Sequence, residues 1–149
     1  MAQLRPRRLD DLSAIECEYF TCTLPSRDYG TVLVVRFSGE CGHGSRSNSD
    51  CAFMEAMVKA GLAAFRSLAL VLDMRGLKYE WGDLMPRVLL GGQRQYVDGA
   101  FPTAVIASDA NREGLTSLIR QEMDEDPAGW LFDDLDAALA RLDGQVPRH

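Results

Sequence analysis

Cys41, His43 and Cys51 lie within one short stretch and are the side chains here most able to do chemistry. In Cys41-Gly42-His43-Gly44-Ser45 a thiol and an imidazole share a flexible backbone. A cysteine nucleophile needs a base within hydrogen-bond reach and donors for the developing oxyanion. Residues two apart in one mobile loop rarely meet that demand, so an ordinary Gly-rich loop carrying an incidental Cys and His is the simpler expectation. As metal ligands, Cys41, His43 and Cys51 would need a fourth donor from Cys17 or Cys22. No C-x-x-C pair is present, and the spacings match no zinc pattern. Gly39-Glu40-Cys41-Gly42-His43-Gly44 lacks both the dinucleotide fingerprint and the P-loop lysine. No catalytic residue, metal or cofactor is therefore expected. A small enzyme or ligand-binding protein working through the Cys41/His43 loop is the alternative.

Composition narrows the function further. The 149 residues are 46% apolar and 26% charged, enough for one core in one domain. A net charge of −6 argues against general nucleic-acid binding, which needs a basic face. The acids gather late, at Glu122, Asp124, Glu125, Asp126 and at Asp133, Asp134, Asp136. A solvated helical face is expected there, or a patch that steers a basic partner. No apolar run reaches the roughly 18 residues of a membrane span. The basic start, Arg5, Arg7 and Arg8, has no apolar stretch after it and does not read as a secretory signal. A cytoplasmic chain with four free thiols and no disulfide follows.

These side chains need elements to hold them. Residues 1–14 read as a flexible lead-in, 15–143 as the domain and 144–149 as a tail. Ile15 to Leu24 suits a strand, and Thr31 to Phe37 a buried one, the two forming an antiparallel hairpin. Residues 39–49 read as a loop, and Asp50 as the N-cap of a helix with Phe53, Ala56, Met57, Ala60 and Ala64 on its apolar face. Leu68 to Leu72 is a second buried strand, ended by Asp73. A right-handed crossover and parallel pairing are implied. Asp83 is the expected cap of a helix from Leu84 to about Tyr96, with Pro86 in its first turn and Gly91-Gly92 weakening it. Thr103 to Ala107 is a third buried strand. Asp109 or Asn111 opens a helix with Leu115, Leu118, Ile119 and Met123 on one face. Trp130 to Phe132 suits a short edge strand, and Asp133 caps a last helix carrying Leu135, Ala138, Leu139 and Leu142. The fold class is α/β: a single domain with a mixed four- to five-stranded sheet and helices packed against it.

The stretch Leu72-Asp73-Met74-Arg75-Gly76-Leu77-Lys78-Tyr79-Glu80-Trp81-Gly82-Asp83-Leu84 resembles the STAS domain of anti-sigma-factor antagonists. In that family a strand ends in an aspartate, then come a Gly-containing loop, an aromatic and a turn that opens a helix. Asp73, Gly76, Leu77 and Tyr79 fall at matching positions. Trp130 to Leu139 is similar to the family's closing strand and helix, and the likeness spans roughly residues 15–143. Regulatory members carry Asp-Ser-Ser or Asp-Ser-Thr after the aromatic, and a partner kinase phosphorylates the first serine. Here those positions are Trp81, Gly82 and Asp83, so no hydroxyl stands there to be modified.

The resemblance implies a non-catalytic regulatory domain that binds a protein, without the serine switch. A regulatory kinase and a second copy of the chain are candidate partners. It also implies the surface: Tyr79, Trp81, Gly82, Asp83, Leu84 and Arg87. Trp81 is either a partner anchor on an exposed turn or a core residue tucked beneath it.

Overall fold

The computed structural model describes residues 1–93 and 101–147. Five strands, β1 (Glu16–Cys22), β2 (Val32–Glu40), β3 (Ala69–Lys78), β4 (Thr103–Ile106) and β5 (Leu131–Phe132), form one sheet in chain order. β1 pairs antiparallel with β2, and every later pair is parallel. The helices are α1 (Asn48–Phe65), α2 (Met85–Leu89), α3 (Arg112–Gln121) and α4 (Leu135–Gln145). The expected mixed sheet and its three inner strands are present. Within the expected lead-in, Leu9–Leu12 forms a 3-10 turn, and Leu12 packs on the core.

Strand alternation divides the apolar residues between two faces. Leu33, Val35, Phe37, Leu70, Leu72 and Met74 point to one side, where α1, α2 and α3 cover them. Val32, Val34, Val71, Ala104 and Ile106 point to the other, beneath α4. Strands buried on both faces are therefore apolar at nearly every position, which accounts for the runs TVLVVRF, LALVL and TAVIA.

β3 does not end at Asp73; it continues to Lys78. Arg36 pairs with Asp73, but Ser38 pairs with Gly76, so β3 carries one extra residue in a bulge around Met74 and Arg75. Without the extra residue, alternation would send Gly76 and Lys78 toward the α1–α3 core. With it, Leu77 and Tyr79 point there, and both are buried. Asp73 stabilises the bulge: its carboxylate accepts from the Arg75 backbone N–H at 3.2 Å and from the Arg75 and Arg36 guanidinium groups. Burial pushes this carboxyl up. The Arg75 side chain and backbone and the Arg36 side chain outweigh that and hold it below its ordinary range.

Several caps and faces differ from expectation. α1 begins at Asn48, and Asp50 does not cap it; its carboxylate accepts from Gly42 N–H at 3.0 Å and from the Ser13 hydroxyl at 2.5 Å. The buried stripe of α1 is Cys51, Met54, Val58, Gly61 and Leu62 with Phe53, while Ala60 and Ala64 are exposed. Alanine fits either side of a helix, so the bulkier residues decide which way it turns. α2 stops at Leu89, with Gly91 and Gly92 in the turn that follows; the expected end near Tyr96 falls outside the described residues. Asp134 caps α4 through Ala137 N–H, and Asp133 instead pairs with Arg112. The acids from Glu122 to Asp126 follow α3 rather than lining a helical face.

Candidate partner-binding surface

Tyr79 holds the turn after β3 from beneath. It is 2% exposed, so it supports the surface and is not itself a contact. Burial pushes its phenol up, and its ring lies beside Gly82, where a Cβ would stand 3.6 Å from Tyr79 Cε1. The β3 bulge aims Tyr79 inward, and Asn111 holds the bulged strand. β4 ends opposite Asp73, leaving later β3 carbonyls without a strand partner. The Asn111 side chain donates to Met74 O at 2.5 Å and Leu77 O at 2.9 Å. Asn111 stands at the start of α3 as expected, but its amide serves β3 rather than capping the helix. A buried asparagine at a helix start was the available signal for this role, and capping is the commoner explanation of it.

Trp81 is 58% exposed, so the core alternative is not what the fold adopts. Its ring nevertheless has a seat on Gly44, where a Cβ would lie 2.4 Å from the ring edge. Gly44 has φ +57°, so a side chain there would meet both backbone strain and the indole. Gly44 N–H donates to Trp81 O at 3.3 Å, and a β-bridge joins Gly44 to Gly82. Gly82 is equally constrained: a Cβ would come within 2.2 Å of Ser47 Oγ. Ser47 is fully buried, and its hydroxyl donates to Gly44 O at 2.7 Å. The fold thus joins two segments that are separate in sequence. The 41–47 loop and the 80–84 turn form one continuous surface.

Asp83 and Arg87 are exposed, and Leu84 is half-buried. Asp83 is not the cap of α2. The helix starts at Met85, Leu84 takes the N-cap position, and no side chain caps it. The carboxylate stands one residue too early to reach the free N–H groups. Between the turn and α3 runs a groove of about 450 Å³, bordered by Glu80, Trp81 and Asp83 on one side and Ser117, Gln121 and Glu122 on the other. Its charged border is acidic. Arg87 lies a turn further along α2, outside that border.

The Cys41/His43 pair is pulled apart. Cys41 is buried at 3% exposure in the α1–α3 core, whereas His43 is exposed with Nε2 3.3 Å from Glu80 Oε2. The apolar thiol goes inward and the imidazole to the surface, so no nucleophile–base contact forms. The loop itself is more regular than expected, with a 3-10 turn at Ser45–Ser47 leading into α1. All four cysteines are unbridged. Among the described residues, no three of His, Cys, Asp and Glu cluster as a metal site, and no helix is long and apolar enough to cross a membrane.

Comparison with solved structures decides the fold. The chain is similar to the crystal structure of an anti-sigma factor antagonist from Mycobacterium paratuberculosis, with 20% identity and a TM-score of 0.55. The likeness covers 87% of this chain and 95% of that one. The fold is that of an anti-sigma factor antagonist. No protein-family model and no curated protein matches the sequence. The STAS-like architecture expected from the Asp73 to Tyr79 segment is therefore the architecture present.

Proposed function

We propose that this STAS-like chain is a non-catalytic regulatory domain that binds a protein partner through the joined surface of the 80–84 turn and the 41–47 loop. One observation carries the proposal: Trp81 stands exposed on a turn whose backbone is bridged to Gly44 and which packs on Tyr79 and Ser47. A large aromatic held in place before binding loses little freedom on association, and such residues are over-represented among interface hot spots. The acidic border of the adjoining groove suits a partner that brings basic side chains. The structural neighbour's own role, antagonism of an anti-sigma factor, supports an interaction function.

The proposed domain works without a serine switch at residues 81–83, which are Trp, Gly and Asp. Ser47 fills the space beside Gly82 where a larger side chain would need to sit. Ser108, another nearby hydroxyl, already donates to Arg75 O at 3.0 Å.

The test is affinity capture from native lysate with the wild-type chain and Trp81→Ala, alongside melting temperatures for both. Capture should fall at least about tenfold, since truncating a hot-spot aromatic costs ~2 kcal/mol or more. The melting temperature should stay within a few degrees, because the ring is mainly exposed. Unchanged capture by the folded variant would place the contact elsewhere.

A further inference from the structure

β1 is the outermost strand of the sheet, and among the described residues no strand pairs with its outer edge. Proteins commonly blunt such an edge with lysine, proline, a bulge or a covering segment. β1 reads Glu-Cys-Glu-Tyr-Phe-Thr-Cys and keeps an unbroken register with β2, so it carries no lysine, no proline and no bulge.

Both flanks of this edge are apolar. On the α4 side Phe20 is 41% exposed, with the Arg36 guanidinium 4.5 Å over its ring. On the other side Phe53, Met57, Gly61 and Phe65 recur every four residues along α1 and form a stripe beside β1. Tyr19 reaches this stripe. Its ring packs on Gly61 and Phe65, and its hydroxyl donates to Met57 O at 2.5 Å. Phe65 is itself 44% exposed. Where the stripe begins, a groove of about 630 Å³ opens, its apolar lining made by Leu9, Ile15, Cys17, Phe53 and Met57.

We propose that β1 pairs antiparallel with β1 of a second copy, about a twofold axis at Tyr19, joining the two sheets into one. This surface is separate from the docking turn, and the pairing does not rest on the turn's role.

Register, charge and shape each select a second copy as the occupant. Paired residues in an antiparallel ladder share a face of the sheet. With Tyr19 on the axis all seven residues of β1 find partners: Glu16 meets Cys22, Cys17 meets Thr21 and Glu18 meets Phe20, each in both directions. No acid then stands opposite an acid. A slide of one pleat repeat shortens the overlap either way, and one way it also sets Glu18 against Glu18. In the full register Glu18 faces the second copy's Phe20, which carries Arg36 over its ring. Arg36 uses Nε on Asp73, so its terminal amino groups are the ones that meet this carboxylate.

Shape agrees with the register. Cys17 lines the groove with Phe53 and Met57, whereas Tyr19 meets Met57, Gly61 and Phe65, so α1 runs in the same direction as β1. The axis therefore passes the two stripes head to tail. It brings the exposed Phe65 of one copy toward the groove of the other. At ~3.4 Å per residue the joint is about 24 Å long, and strand plus helix make it about 20 Å deep. That covers about 1,000 Å² in total, the lower bound of specific interfaces, and suits a reversible dimer with a micromolar dissociation constant.

The test is sedimentation velocity on the purified full-length chain from about 1 to 300 µM, with amide exchange at both ends of that range. The mass should rise from 16.5 kDa toward twice that value, and exchange should slow at residues 16–22 as it does. Phe20→Glu sets acid opposite acid at an exposed position and should weaken the dimer at least about tenfold. Adding Glu18→Gln removes that opposition and should recover much of the loss. Phe65→Asp should weaken the dimer through the groove, and it replaces Phe20→Glu if that variant misfolds by circular dichroism. A chain that stays monomeric at the upper concentration would overturn the pairing. So would a dimer whose slowed exchange lies outside residues 16–22, or one indifferent to the folded variants. A dimer that Phe20→Glu weakens and Glu18→Gln leaves weak would remove the axis at Tyr19.

Discussion

At the residue scale, Ser47 leaves no room for a side chain at Gly82. A serine at 82 would put its Cβ into Ser47, with Ser47 Oγ 2.2 Å and Ser47 Cβ 2.9 Å away. Gly82→Ser should therefore destabilise by roughly 1–3 kcal/mol through overpacking. Ser47→Gly in the same chain should recover much of that loss, and a double-mutant cycle in chemical denaturation measures the recovery. Asp73 offers a prediction in pH. Its folded-state carboxyl is held low, so the stability it contributes is present above the unfolded value of ~3.9 and is lost as pH falls through the lower folded value. The stability gap between wild type and Asp73→Asn should be widest near neutrality and close in acid. A constant gap from pH 7 to 3 would show that the arginine pairing does not favour the charged form. Asp83→Ala, by contrast, should leave stability within ~0.5 kcal/mol, because the carboxylate caps nothing.

At the element scale, the β3 bulge places the surface. It returns Leu77 and Tyr79 to the core side and so fixes which way the next turn faces. Asn111 keeps the bulged strand satisfied after β4 has ended. Asn111→Ala would leave two buried carbonyls without a donor, at a cost of roughly 1–3 kcal/mol. Urea titration should show that loss. These features are the least legible in the sequence. The runs at Val32, Leu70 and Ala104 identify buried strands because apolar content survives any register. A bulge leaves no such trace: Asp73 reads as a strand end when it is a strand interior. The caps at Asp50, Asp83 and Asp133 misled for a related reason. A carboxylate near a helix start has the right chemistry, but only the backbone conformation decides whether it reaches a free N–H, and Asp50 spends its oxygens on Gly42 and Ser13.

At the scale of the whole molecule, the fold brings together what the chain separates. Strand order and the Asp73 to Tyr79 spacing were enough to suggest the STAS-like architecture. The candidate site was half legible: Trp81 and Asp83 stood out by residue type, whereas their seat on Gly44 and Ser47 depends on a contact between distant segments. The resemblance puts Tyr79 in the surface, and the register shift in β3 puts its side chain in the core beneath it. The Cys41 to Ser47 loop, whose residue types suggest catalysis, is part of the same surface because its backbone bridges to residues 81 and 82. The proposed partner meets this joined surface. Amide hydrogen exchange of the chain, alone and saturated with its captured partner, tests it most directly. Slowed exchange should concentrate at residues 43–47 and 80–84, with little change on α4. Slowing confined to α4 or to the exposed edge of β1, with the turn and loop untouched, would contradict it.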